Sequence, residues 1–182
     1  MILASFTGAM MAMMAGASLP TLAEDPNARG KLNLEADAAM EMLLGQNAAA
    51  RDLAEVAHGM LIFPHITKGG FIVGMAGGRG VLRVGGESIA YFETGGLSVG
   101  FKAGVQSYGY VLMFMTESAL EKFRASSGFK LGVDASFAVI KGDTVNVDTV
   151  RTRSEIVGFI FDTKGLMLDA SIEGSQYQEV DL

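Results

Sequence analysis

Cysteine is absent from the sequence, and so is tryptophan. Without cysteine there is no disulfide, no thiolate nucleophile and no cysteine-ligated metal. Histidine is scarce. His58 and His65 stand seven residues apart with no matched acidic spacing, which is not a recognisable metal constellation. Positive charge is also short: 14 Lys and Arg face 20 Asp and Glu, for a net charge of −6. A nucleic-acid partner needs a basic surface, so that class is excluded, and simple electrostatic adhesion to an anionic membrane is disfavoured.

Charge is missing altogether from the first 23 residues, "MILASFTGAMMAMMAGASLPTLA". An apolar run, then Pro20, then Thr21-Leu22-Ala23 with small residues at −3 and −1, reads as a removable signal peptide. Cleavage after Ala23 leaves residues 24–182 as a single domain, exported to the periplasm or cell envelope. No cysteine follows the apolar run, which excludes a lipid-anchored lipoprotein.

What is present is apolar and glycine-rich: 49% hydrophobic residues mark a folding chain rather than a disordered one. Residues 31–57 read as helical, with Ala36, Ala39, Met40, Leu43 and Leu44 forming an amphipathic stripe. Gly45 suits a C-terminal cap, and Asn47 caps a second short helix. After His58 short apolar runs alternate with glycine clusters, at the spacing of an antiparallel meander. Gly85-Gly86 marks a tight hairpin turn. "TESALEKFRASSG" interrupts as a helix, capped by Thr116, with Leu120 and Phe123 inward and Gly128 as its end. Strands resume through "FKLGVDASFAVIKG", "DTVNVDTV", "EIVGFIFDTKG" and "LMLDASIEG", making about ten in all. There is no linker, low-complexity tract or second domain.

One stretch, "GLSVGFKAGV", invites three readings. Gly96, Gly100 and Gly104 repeat every fourth residue, as in paired membrane helices. Such a helix would carry five glycines within residues 95–109, each costing about 1 kcal/mol relative to alanine. The G-x-S-x-G pattern around Ser98 matches a nucleophile elbow, but both histidines precede the serine, whereas the hydrolase base follows it. Period-two alternation from Leu97 to Val105 selects a strand instead. No other grouping supports catalysis. "GMAGGRG" lacks the residues of a phosphate loop, and the carboxylates Asp134, Asp162, Asp169 and Glu173 are scattered. The expectation is a non-enzyme without cofactor. Arg79 and Arg83 share one strand face with Lys68 just upstream, and a cationic patch there suits a phosphate or lipid headgroup. With Lys102, these four are the candidate lipid-binding residues.

Four motifs in order resemble the SYLF domain: "AHGMLIFPHITKGGFIVGMAGGRGVL", "GLSVGFKAGVQSYGYVLMFMTESALEKF", "FKLGVDASFAVIKG" and "FIFDTKGLMLDASIEGSQYQEV". The likeness covers roughly residues 33–180. It implies a lipid-binding module, since eukaryotic relatives bind phosphoinositide membranes and some bind actin filaments, while bacterial relatives are exported. The basic amphipathic N-terminal helix credited with membrane binding in eukaryotes is here acidic, and actin is not an expected partner for an exported protein. The combined expectation is an α+β domain, with N-terminal helices packed on a strongly coiled, mainly antiparallel, barrel-like sheet with one inserted helix. Its expected function is non-enzymatic binding of lipid or a membrane component in the bacterial envelope. The alternatives are a small outer-membrane β-barrel, or a structural or partner-binding envelope protein.

Overall fold

A computed structural model describes residues 27–70, 73–99, 104–140, 146–162, 165–166, 172 and 174–182. The expected leader, residues 1–23, lies outside them, as do Gly100, Lys102 and most of "LMLDASIEG". The elements run α1 (Ala28–Gln46), α2 (Ala48–Ala54), β1 (Gly59–Gly70), β2 (Val73–Val84), β3 (Glu87–Val99), β4 (Gly104–Phe114) and α3 (Glu117–Ala125). There follow β5 (Phe129–Lys130), β6 (Phe137–Ile140), α4 (Val147–Arg153), β7 (Ile156–Asp162), β8 (Gly165–Leu166) and β9 (Gln176–Val180).

Local chemistry sets most helix limits. The Asn47 side chain accepts the Ala50 N–H at 2.7 Å and starts α2, and the Thr116 hydroxyl accepts the Ala119 N–H at 3.2 Å to start α3. Gly45 does not act as the expected cap. It lies inside α1, which ends at an extended Asn47 already committed to capping α2. Gly128 likewise falls beyond the end of α3, at the turn into β5. Two expected strands are corrected. "DTVNVDTV" contains α4, because the Asn146 side chain accepts the Thr149 N–H at 3.0 Å and its cap outweighs the β-branched alternation. The run from Phe129 to Val139 is broken into β5 and β6 by a turn, where Gly132 has φ 83° and the Asp134 carboxylate accepts the Lys130 N–H at 2.6 Å.

The described strands form one sheet in the order β5-β9-β3-β2-β1-β4-β7-β6, with β8 on β7. β4 returns beside β1 after the β1–β2–β3 meander, which is Greek-key order. All ladders are antiparallel except β6 against β7. The β2–β3 turn is the anticipated one: Val84 pairs with Glu87 across Gly85 and Gly86, at φ 60° and 85°. Residues 97–106 are not one strand, however. β3 ends at Val99 and β4 starts at Gly104, with β2 and β1 between them in the sheet. Pro64 sits in a central strand only because Pro64 and His65 drop out of both ladders as a bulge.

The sheet curls into a half-barrel whose path runs from β5 to β6, with no ladder joining those two among the described residues. The Tyr110 hydroxyl of β4 donates to that of Tyr177 of β9 at 3.3 Å, although three strands separate them. A flat sheet would hold β4 and β9 about 19 Å apart, at about 4.8 Å per strand. Glycines make room on the concave side. A Cβ at Gly80 would lie 2.7 Å from both the Ile62 carbonyl oxygen and the Phe63 ring.

Each face of this sheet has its own core. On the concave face, Phe63, Phe92, Tyr110, Phe114, Phe129 and Tyr177 close around α3, which contributes Ala119, Leu120 and Phe123. On the other face α1 and α2 bury Ala36, Met40, Leu43 and Leu53 against Ile62, Val81, Val111 and Phe159. The stripe expected on α1 is therefore used up in packing. Glu155 fastens the start of β7 by accepting the Ser136 N–H at 3.0 Å. That bond, with help from the Ser136 hydroxyl and Lys122, holds its carboxyl below the usual range.

Candidate functional site

Of the four candidate cations, Arg79 and Arg83 have described side chains, and each is matched by a carboxylate. Arg79, Val81 and Arg83 do share a face of β2, but it is the face under α1, where Val81 is fully buried. Arg83 has only 14% of its side chain exposed. Its Nη1 pairs with Asp37 at 2.7 Å, and its Nη2 donates to the Asn33 carbonyl at 3.2 Å. Its Nε is buried with no hydrogen-bond partner. Arg83 thus pins α1 to β2. Arg79 pairs across the ladder with Glu93 at 2.9 Å, both half-exposed. Lys68 lies farther along, in register with Ala76 of β2 and Gln106 of β4. At about 3.3 Å per residue, its backbone is more than about 20 Å from that of Arg83. Lys102 is outside the described residues.

Among the described residues, the concavities flanking the sheet include two of note. One, of about 310 Å³, lies beside Arg79 between the start of α1 and the β1 bulge, and includes Lys31, Leu32, Glu35 and His65. Its cations are already matched, Arg79 by Glu93 and Lys31 by Glu35 at 3.9 Å. The other, of about 420 Å³, opens between α3 and the β2–β3 hairpin. Leu82, Ile89, Ala90 and Phe92 make its apolar floor, and Glu121, Arg124 and Glu179 stand at its rim. Phe92 stacks at 4.7 Å on Phe123, so this floor is the outer skin of the aromatic core. Ile89 is 42% exposed, at the point where the β2–β3 register slips between Leu82 and Arg83. Arg124 is exposed and is the rim's only cation among the described residues.

Other polar groups are engaged in the fold. Burial raises the pKa of both Tyr110 and Tyr177, so the pair stays neutral at ordinary pH. Ser98 stands in β3 opposite Gly74, and the backbone N–H of His58 donates to the Phe114 carbonyl at 2.8 Å. Among the described residues, no three His, Cys, Asp or Glu side chains gather as a metal site.

The second half of the sequence has a counterpart among known families. Residues 95–181 match the family model described as Ysc84, Las17-binding protein actin regulator. This region belongs to the Ysc84, or SYLF, family. No curated protein matches the chain. The SYLF match starts at Gly95, near the end of β3, and runs through β9. β1 and β2 lie outside it, yet β1 is the partner of β4 and β2 the partner of β3. The SYLF region of this chain is thus built into one sheet with the residues before it. The α3 cavity draws on both parts, Leu82 and Ile89 from before the match and Arg124 and Glu179 from within it. Sequence reading missed this cavity. Only the inward Leu120 and Phe123 of α3 hinted at it, since the floor depends on which strands α3 covers.

Proposed function

We propose that this protein is a non-enzymatic lipid-binding domain of the bacterial cell envelope, which seats the apolar part of a lipid in the cavity under α3. The observation that carries the reading is that cavity's make-up: an apolar floor about 420 Å³ in extent with Arg124 at the rim. Its size lies within the range of about 300–1,000 Å³ common to small-molecule sites. Membership of a family associated with lipid and actin binding supports the class. Export is supported by the uncharged, apolar first 23 residues ending in Thr21-Leu22-Ala23. The family description names an actin regulator, but an exported chain does not share a compartment with filaments, which favours lipid as the partner. A membrane-spanning barrel is disfavoured because α1 and α2 cover the outer face of the sheet.

Binding of a fluorescent, NBD-labelled fatty acid tests the reading. Ile89→Asp makes the floor polar at an exposed position, and Ala90→Phe fills it. Each is expected to weaken binding at least about tenfold, the effect of losing one buried aliphatic contact. Arg124→Ala should have a smaller effect. Undiminished binding by both folded floor variants would overturn the cavity as the site.

A further inference from the structure

The cavity under α3 carries charges of both signs around one aromatic ring. Phe92 lies in its floor, in register with Glu179 of β9, so the two side chains stand on the same face of the sheet. Phe123 of α3 stacks on that ring at 4.7 Å, and Arg124 is the next residue in the chain. Glu121 precedes Arg124 by close to one helical turn, which sets their Cβ atoms about 5–6 Å apart. All three charged residues are exposed and line the cavity.

These charges are uncommitted. Among the described residues, the side chains of Glu121, Arg124 and Glu179 have no hydrogen-bond or ion-pair partner, whereas the neighbouring Lys122 pairs with Glu155 at 3.4 Å. In the cavity beside Arg79, by contrast, Glu93 and Glu35 already hold the cations Arg79 and Lys31. Two carboxylates against one guanidinium leave the α3 rim with negative charge in excess.

A ligand that brings only negative charge, such as a fatty acid or a glycerol phosphodiester, meets Arg124 but is repelled by two carboxylates. An alkylamine leaves the guanidinium unanswered. A headgroup with both signs meets every charge: its phosphodiester accepts from Arg124, and a primary ammonium donates to Glu121 and Glu179. Long side chains one turn apart reach two groups joined by a two-carbon linker. Choline has no N–H to donate, and a quaternary ammonium is best held by an aromatic cage. Among the described residues the cavity's one aromatic ring is Phe92, which is 2% exposed and lies in the floor.

We infer that the α3 cavity selects lipids whose headgroup joins a phosphodiester to a primary ammonium, the phosphoethanolamine class, over anionic and choline lipids. The inference rests on the lipid-binding reading of this cavity and names its ligand class. At about 420 Å³ the cavity is near the small end of ligand sites, which suits a single acyl chain.

Displacement of the NBD-labelled fatty acid by lysolipids of one chain length, kept below micelle-forming concentrations, tests this selection. Lysophosphatidylethanolamine should displace it at about fivefold lower concentration than lysophosphatidylglycerol or lysophosphatidylcholine, the selectivity that exposed charge pairs supply. Glycerophosphoethanolamine, the same head without a chain, should not displace it. Glu121→Gln/Glu179→Gln should weaken lysophosphatidylethanolamine and strengthen the fatty acid, a crossing that loss of folding cannot produce. Equal displacement by the three lysolipids, preference for the glycerol head, or a double variant that shifts both ligands the same way would overturn the inference. So would displacement by the chainless head, which would assign the charges to a soluble phosphoester. Titration calorimetry with lysophosphatidylethanolamine separates two failures. No binding of it by a chain that binds the fatty acid would sink the headgroup class alone, and binding of neither would sink the lipid reading as well.

Discussion

Gly80 and Gly95 occupy neighbouring strands, and their surroundings separate two uses of the same residue. A Cβ at Gly80 would meet backbone and an aromatic ring at 2.7 Å, in a core with no slack, whereas nothing lies within 4 Å of a Cβ at Gly95. Gly80→Ala is expected to destabilise the fold by about 1–3 kcal/mol, the usual range for overpacking. Gly95→Ala should be neutral, or slightly stabilising through the unfolded chain. Urea unfolding of the two variants checks the contrast, and equal losses would refute it. The glycine richness of the sequence is legible without a structure. Which glycines lie under a ring is not, because the Ile62 carbonyl and the Phe63 ring reach Gly80 from the neighbouring strand β1, and that pairing leaves no local trace.

The elements divide by the range of the interactions that form them. α1, α2, α3 and the Gly85-Gly86 hairpin were legible in the sequence because their signals are local: an apolar stripe, Asn47, Thr116 and a two-glycine turn. α4 was misread because Val145, Val147, Thr149 and Val150 favour a strand, while the deciding signal was the single cap Asn146. The break between β5 and β6 had the same character, resting on Gly132 and Asp134 alone. The return of β4 past β2 to β1 left no local trace, so residues 97–106 read as one strand. The partners of the candidate arginines were out of reach of sequence reading for a related reason. Parity rightly put Arg79 and Arg83 on one face, but the carboxylates that neutralise them come from α1 and β3. As the pin between α1 and β2, Arg83 should matter far more than Arg79. Arg83→Ala is expected to cost about 1–3 kcal/mol, mainly because the Asn33 carbonyl and α1 lose their partner. Arg79→Ala should cost less than about 1 kcal/mol, as exposed pairs do. Thermal unfolding of the two variants measures the difference, and similar losses would contradict the assigned roles.

For the whole molecule, the arrangement of cores limits how lipid can be met. α1 spends its apolar stripe on the sheet, and among the described residues no helix is long and apolar enough to cross a membrane. Arg79 and Arg83 are matched by carboxylates, so a headgroup would have to compete with Glu93 or Asp37 for them. The apolar cavity under α3 remains, and lipid seated there, as proposed, would be held by buried apolar surface. Salt screens charge, shortening the Debye length from about 10 Å at 0.1 M to about 3 Å at 1 M, but it does not weaken apolar burial. Co-sedimentation with phosphatidylethanolamine–phosphatidylglycerol vesicles at these two salt concentrations is the most direct measurement. The protein should pellet with the vesicles at both, and Arg79→Ala/Arg83→Ala should lower the bound fraction only modestly wherever it remains folded. Complete release at 1 M salt, or no pelleting of folded protein at either concentration, would contradict the account.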